Sequence, residues 1–414
     1  MVEAKAQGRR FYRGWLVLLG AFLAHLAAIG ATHASFGLFV VPASEELGLS
    51  RADANTWLIV MGIGSATLAP FAGKLLDRVS VRLVMGLGGL IMAASHYVMS
   101  TTSSIWLLLA IALVPLAFAS DCAGGLAANT VTVRWFRRHR GRALAVVSMS
   151  VAAGGVVVPP VVGFLIGDFG WRSALALLGA GCGLLILLSA ILLVRVRPSE
   201  EELRAAGEDL AGSQASEARI WGYKDLLRNR NFLLIAFGGG LFIASDRALL
   251  VSVAPYFSDG GFTVQQAGVM LSVLGGSSLA GKLLVGYLAD FIDPRRIFIA
   301  VAALHIALLL VLMVEPSYPV LIGAAAVLGI GLGGVMPAQQ VLTASVFGSA
   351  SYGTVLGTAA IIIQVLMMMA LRFIGEVYDR TGSYGLAFQV FIVVVIISTM
   401  MIWRIRRPVD EVAA

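Results

Sequence analysis

Long apolar stretches alternate with shorter polar ones along the chain. Each apolar stretch is close to the roughly twenty residues that a helix needs to cross a bilayer. The pattern therefore predicts an all-α polytopic membrane protein with twelve transmembrane helices, numbered here as spans 1 to 12. The twelve stretches lie near residues 15–41, 54–76, 83–100, 105–133, 143–166, 173–195, 232–256, 264–288, 297–315, 318–340, 354–377 and 385–404.

Composition agrees with an integral membrane protein. The 414 residues are 59% hydrophobic and only 13% charged, whereas a soluble domain is about 25% charged. Cys122 and Cys182 both lie inside apolar stretches, so we expect small core residues rather than a disulfide. The first stretch is too long for the apolar region of a signal peptide, and no cleaved leader is expected.

The net charge of +7 invites a nucleic-acid partner, but the position of the charges argues against one. Most Lys and Arg residues fall in the segments that would face one side of the membrane. The segments on the other side contain Arg51, Arg172 and Arg380. By the positive-inside rule, this asymmetry predicts a multi-pass protein of the cytoplasmic membrane with both termini in the cytoplasm.

The chain divides into two similar halves. We predict an N-terminal six-helix bundle over residues 1–197, a cytoplasmic linker over 198–231 and a C-terminal six-helix bundle over 232–414. Parallel repeats of this kind are one of the architectures found in transporters. Landmarks recur 213 residues apart at Pro42/Pro255, Ser50/Thr263, Gly73/Gly286, Asp77/Asp290 and Arg82/Arg295, and 212 apart at Gly141/Gly353, Gly163/Gly375 and Gly170/Gly382.

A glycine–aspartate–arginine motif occurs between spans 2 and 3 and again between spans 8 and 9. Glycine permits close helix approach, and the aspartate can cap a neighbouring helix N-terminus and pair with an arginine. We therefore predict a gate that breaks and reforms on the cytoplasmic side. Its residues are Gly73, Asp77, Arg78 and Arg82 in the first copy and Gly286, Asp290 and Arg295 in the second.

These paired loops resemble the signature loop of the major facilitator superfamily, and twelve spans in two repeats agree with that family over nearly the whole chain. Two further stretches resemble signatures of its monocarboxylate transporter and oxalate/formate exchanger branch. They are Tyr12-Arg13-Gly14-Trp15 before span 1 and RWFRRHRGRALA at residues 134–145. The resemblance implies a secondary transporter of small organic anions.

Lys282 interrupts span 8, where a cation costs about 2.5–3.5 kcal/mol or more. It lies roughly 12 Å from the loop aspartate, which is too deep for easy snorkelling. The resemblance implies that a cation here binds the substrate carboxylate, although the family usually has arginine. The second cation of oxalate exchangers falls at Ala359, which favours a monocarboxylate. Ser278 replaces the aspartate of animal members one turn earlier, and a structural pair between Lys282 and Asp246 is the alternative.

Two acidic residues are candidates for carrying a proton. Asp246 lies beside Arg247 in the middle of span 7, and we expect it to face Lys282 and couple proton movement to cargo. A fixed pair of Asp246 with Arg247 or Lys282 is the alternative. Asp121 in span 4 is the second candidate, with a neutral acid bonded to a serine as its alternative.

The remaining polar residues give weaker signals. His33 in span 1 could line the cavity and titrate near neutrality, and Asn129 could bind cargo by hydrogen bonds. Arg372 in span 11 could attract anions, but an i,i+4 pair with Glu376 is favoured. We expect the other buried histidines, His25, His96 and His305, to pack between helices.

No phosphate-binding loop, metal-ligand cluster, haem motif or catalytic triad is found, so we expect neither an enzyme nor a cofactor. The sequence predicts alternating-access symport of a small monocarboxylate with protons, by a monomer in the bilayer. The alternatives are a proton-driven exporter of amphipathic compounds, suggested by the residues 155–163 and the Met367–Met369 cluster, and an organic-anion exchanger.

Overall fold

The computed structural model describes residues 12–48, 51–195, 198, 202, 220–262, 264–314 and 317–405. Most of the predicted linker and the landmarks Ser50 and Thr263 lie outside this set. Helices are the only regular secondary structure in the described part of the chain. The all-α prediction is confirmed.

The helices follow the predicted spans. Spans 1 to 4 are Gly14–Ile29 with Gly30–Ala34 and Phe36–Leu47, then Arg51–Arg78, then Val81–Thr101, then Ile105–Ile111 with Ala112–Leu116, Ala117–Ala123 and Gly125–Trp135. Spans 5 and 6 form one run, Arg140–Leu188, extended by Ser189–Leu193. Span 7 is Arg230–Leu233 with Leu234–Gly239 and Gly240–Asp259, after the short helix Tyr223–Arg228. Spans 8 to 12 are Val264–Leu288, Pro294–Met313, Tyr318–Phe347, Tyr352–Thr381 and Gly385–Trp403.

Ten described stretches are long and apolar enough to cross a membrane. One of them, Arg140–Leu193, contains both span 5 and span 6. The chain turns between these two spans at Gly170, which has a φ of 75°. Only glycine adopts this left-handed conformation at little cost. With the helix Val264–Leu288, which contains Lys282, the structure has the predicted twelve spans.

The buried apolar side chains divide in the same way as the sequence repeat. One cluster contains only residues of spans 1 to 6, and two others contain only residues that follow position 225. A fourth, smaller cluster crosses the seam between the halves and comprises Val133, Leu144, Val341, Ala344 and Tyr352. Each half thus has its own core, while the boundary at 198–231 stays a prediction.

Candidate functional site

Lys282 lies at the seam between the two halves. Its half-buried side chain reaches from span 8 toward span 5, where Nζ donates to the backbone carbonyl of Ser148 at 3.4 Å. A bond of this length is weak. No carboxylate of the described residues lies within 4.0 Å of the ammonium. The predicted intramembrane cation therefore lies at the seam without an ion-pair partner in the part of the chain that the structure describes.

Ser148 belongs to the first half and contacts two helices of the second half, span 8 through Lys282 and span 10 through Gln340. Its hydroxyl lies 3.4 Å from Oε1 of Gln340 in span 10 and donates to the Leu144 carbonyl at 2.9 Å. Our sequence reasoning missed Ser148. The available signal was its position two turns after the repeated glycine Gly141, which puts both residues on one face of span 5.

Asp246 forms its close ion pair with the next residue in the chain. Oδ2 of Asp246 lies 2.9 Å from Nη2 of Arg247, and the aspartate side chain is only 2% exposed. The pair is near enough to Lys282 to interact with it electrostatically. The direct partner is therefore Arg247, the alternative left open above. Adjacent side chains start about 100° apart on a helix, but the long arginine side chain can turn back to reach its neighbour.

The two acidic candidates share an unusual feature. Oδ1 of Asp121 accepts a hydrogen bond from the Ser65 hydroxyl at 2.7 Å, as the serine-bonded alternative expected. Its other oxygen is buried without a hydrogen-bond partner, and so is Oδ1 of Asp246. A buried acceptor without a donor costs about 1–3 kcal/mol. Each carboxyl group thus has one buried oxygen without a hydrogen-bond donor among the described residues.

Histidines of span 1 lie on the same side of the seam as Ser148. His25, expected only to pack, is buried with Nδ1 2.8 Å from the Ser150 hydroxyl, and it interacts electrostatically with Lys282. His33 is exposed, and its Nδ1 is 2.9 Å from the Thr32 hydroxyl. His25 therefore lies nearer to Lys282 and Ser148 than we expected from the apolar residues around it in the sequence.

The other predicted site residues are less closely connected to Lys282. Asn129 is buried and its Oδ1 has no hydrogen-bond partner. The backbone of Ser278 packs against Gly333 of span 10, where an added Cβ would come within 1.7 Å of the Ser278 carbonyl oxygen. Arg372 is exposed and pairs with Glu376 at 3.2 Å, which is the favoured i,i+4 alternative.

Four of the predicted gate residues, Gly73, Asp77, Gly286 and Asp290, contact the opposite half at one end of the molecule. Oδ1 of Asp77 accepts from the Gly353 N–H at 3.2 Å, and Oδ2 accepts from the Thr354 N–H at 2.7 Å. These N–H groups begin span 11, where free donors and the helix dipole favour an anion. Arg134 of span 4 completes the contact at 3.0 Å from Oδ1. We call this set of residues latch 1.

The repeat produces the same contact between the opposite halves. Oδ1 of Asp290 accepts from the Gly141 N–H at the start of span 5 at 2.8 Å, and Oδ2 lies 3.0 Å from Nε of Arg142. The Arg142 guanidinium also lies over the Tyr287 ring at 4.5 Å. Burial raises the pKa of the Asp290 carboxyl, although Gly141 and Arg142 both oppose this shift. We call this set latch 2 and the end of the molecule with both latches the latch face.

The arginine partners differ from those that the loop motif offered. Arg295 pairs with Asp293 at 2.9 Å and donates to the Ile405 carbonyl. Arg78 and Arg82 are exposed and have no ion-pair partner among the described residues. Arg78 is the last residue of span 2, and Arg82 and Arg295 lie in the first turns of spans 3 and 9, whereas Arg134 and Arg142 lie at the helix ends that meet across the seam. A gating role for Arg78, Arg82 and Arg295 stays a prediction.

Glycines let the halves touch at the latch face. A Cβ on Gly73 would come within 2.2 Å of the Gly353 carbonyl oxygen, and one on Gly141 within 2.3 Å of the Gly286 oxygen. The two halves are thus in direct backbone contact at the latch face.

Two repeated six-helix halves, with intramembrane charges at the seam between them, define a membrane transporter built from parallel repeats. A family model for the Major Facilitator Superfamily matches residues 17–245 and 236–414, so the chain belongs to this superfamily of transporters.

The chain also resembles individual members of the superfamily. It is 24% identical over 396 residues to the uncharacterized MFS-type transporter YcxA of Bacillus subtilis, covering 94% of each chain. It is 24% identical over 404 residues to monocarboxylate transporter 12 of Homo sapiens, covering 91% of this chain and 77% of that protein. Its fold matches the MFS transporter FucP, crystallised in the outward conformation, with a TM-score of 0.70 at 14% identity, over 95% of this chain and 99% of that one.

Proposed function

We propose that this transporter moves a small monocarboxylate by alternating access, and that the Lys282 ammonium binds the cargo carboxylate. The supporting observation is the ammonium at the seam, held by one weak bond to the Ser148 carbonyl and without a carboxylate within 4.0 Å. A cargo carboxylate would supply the missing charge-assisted bond. The relatives named monocarboxylate transporters favour the same cargo class.

The distribution of basic residues supports a latch face on the cytoplasmic side of the cytoplasmic membrane. In that orientation the latched seam closes the cytoplasmic route, and cargo would reach Lys282 from outside. Ser148 is in span 5, two turns from Gly141 of latch 2. A carboxylate that draws Lys282 away from the Ser148 carbonyl would therefore remove a cross-seam bond close to that latch.

Proton symport is the second part of the proposal, with Asp246 as the carrier. Its buried Oδ1 lacks a hydrogen-bond donor, and its charge is balanced by Arg247 and by electrostatic interaction with Lys282. Cargo on Lys282 would reduce that balance and favour proton binding at Asp246. Asp121 is the second candidate because its Oδ2 is also buried without a partner.

Uptake of a panel of small acids into proteoliposomes tests the binding role. We expect Lys282→Ala to lower uptake roughly 10- to 100-fold, since a hydrogen bond to a charged group contributes about 1.5–3 kcal/mol. Lys282→Arg should retain part of the uptake. Lys224→Ala, which removes an exposed lysine of the helix Tyr223–Arg228, should transport normally. Normal uptake by a folded Lys282→Ala protein would overturn the proposal.

The same vesicles with an imposed pH gradient test the coupling. We expect Asp246→Asn to exchange labelled cargo but to lose proton-driven accumulation. Loss of accumulation in Asp121→Asn, with Asp246→Asn unaffected, would transfer the role to Asp121. Carboxylate uptake that is indifferent to the gradient in the unmodified protein would instead identify an exchanger.

A further inference from the structure

We propose that Tyr223, near the end of the predicted linker, is a further tie across the seam and a gating residue that holds the latch face closed. The tie is distinct from the two aspartate latches. It uses a tyrosine hydroxyl and an aromatic ring, and it has no counterpart in the repeated loop motif. It concerns opening of the seam and does not depend on which cargo is carried.

The segment around Tyr223 is fixed to the second half. Leu226 is fully buried in the second-half core. The Trp221 N–H donates to the Ser351 hydroxyl at 2.9 Å, and the Trp221 ring meets the Phe347 ring edge-on with centroids 5.3 Å apart. Since Ser351 directly precedes span 11, this segment moves with the helix that latch 1 caps.

Tyr223 itself reaches into the first half. Its hydroxyl donates to the backbone carbonyl of Pro70 in span 2. Nζ of Lys74, one turn further along span 2, lies 5.7 Å from the centroid of the tyrosine ring. Spans 2 and 11 therefore cannot separate at the latch face while both Tyr223 contacts persist.

The tyrosine that precedes span 1 has a different arrangement. The Tyr12 hydroxyl donates to the backbone carbonyl of Trp135, and the Tyr12 ring packs on Phe136 with centroids 5.7 Å apart. All three residues belong to the first half. The tyrosine before span 1 thus stabilises its own half, while the tyrosine before span 7 crosses the seam. Tyr223 therefore makes the closed contact between the halves asymmetric, although the two halves are repeats of each other.

Opening can be measured with a cysteine at the seam. Val133 is fully buried in the seam cluster, so Val133→Cys in a protein with Cys122→Ser and Cys182→Ser should react with a maleimide only when the latch face opens. We expect Tyr223→Phe to raise the labelling rate roughly 2- to 10-fold, the range for loss of one hydrogen bond. Tyr223→Ala, which also removes the ring under Lys74, should label faster still.

Two variants keep the test specific. Tyr318→Phe removes a hydroxyl that donates to the Gln266 carbonyl at 3.1 Å within the second half, and it should label at the unmodified rate. Lys74→Met weakens the same tie from the exposed side of span 2 and should raise labelling by a smaller factor. Unmodified labelling in both Tyr223→Phe and Lys74→Met would overturn the proposal. So would equal acceleration in Tyr318→Phe, which would indicate general loosening.

Discussion

Latch 1 and latch 2 cap equivalent helices in the two halves, but their arginines come from different sides of the seam. In latch 1, Arg134 belongs to the same half as Asp77, and the cross-seam bonds are those from the backbone of Gly353 and Thr354. In latch 2, both Gly141 and Arg142 lie across the seam from Asp290. Latch 1 therefore stabilises the first half and also holds the two halves together, whereas the contacts of latch 2 join one half to the other.

Exposure separates the two latches further. Both aspartates are buried, with side chains 9% exposed for Asp77 and 3% for Asp290, but Arg134 is 8% exposed and Arg142 is 35% exposed. Removing the aspartate from a buried arginine leaves a charge without compensation and is strongly destabilising. A partly exposed arginine that loses its partner is hydrated and screened by salt, so the cost is smaller. Equivalent substitutions in the two copies of the motif should therefore change the free energy of unfolding by different amounts.

The largest effect is expected from Asp77→Asn. It removes the carboxylate from the buried Arg134 and should lower the free energy of unfolding by about 3–5 kcal/mol. Unfolding of the detergent-solubilised protein, followed by denaturant titration, measures the change. The double variant Asp77→Asn/Arg134→Gln should recover part of the loss. A single variant no less stable than Asp290→Asn would contradict the distinction between the latches.

An intermediate effect is expected from Gly141→Ala. The new methyl group would lie 2.3 Å from the Gly286 carbonyl oxygen, and backbone cannot move aside as a side chain can. Overpacking of this kind costs about 1–3 kcal/mol, and here the cost falls on the closed seam. We expect faster maleimide labelling of Val133→Cys. Gly163→Ala, where a Cβ meets nothing within 4 Å, is the matched control. Equal labelling in both variants would show that the glycine contact does not hold the seam.

The smallest effect is expected from Asp290→Asn. Asp290 is itself only 3% exposed, but the Arg142 side chain left without its partner is 35% exposed and can be hydrated, so the change in stability should be about 1 kcal/mol or less. Since both contacts cross the seam, labelling of Val133→Cys should still increase. Arg82→Gln, at an exposed position in the first turn of span 3 with no ion pair in the described part of the chain, should change neither quantity. A loss of stability as large as that of Asp77→Asn would mean that latch 2 also supports its own half.

Much of the latch could be predicted from the repeat. The offsets of 213 and 212 residues paired Asp77 with Asp290 and Gly141 with Gly353, and the structure uses these residues in two equivalent contacts. Capping of a helix N-terminus by the aspartate was also expected. The arginine partners were not found, because Arg134 and Arg142 become neighbours of the aspartates only after the helices pack.

The candidate site was less predictable. The cost of burying charge in a bilayer indicated Lys282 and Asp246 as special residues. The helical period places Asp246 and Arg247 about 100° apart, so both cannot face the cavity squarely, but it describes where side chains start and not how far they reach. The contact between Lys282 and Ser148, 134 positions apart, leaves no local trace in the sequence.

By itself, the sequence determined the twelve spans, the two repeated halves and the superfamily. These features follow from local requirements, since each span must satisfy its own backbone hydrogen bonds in the bilayer. The tertiary structure decided which helix each aspartate caps, which half supplies its arginine, and that Lys282 stands at the seam without an ion-pair partner among the described residues. These contacts form only when the two bundles, each with its own core, pack against each other. The residues that make them are far apart in the chain.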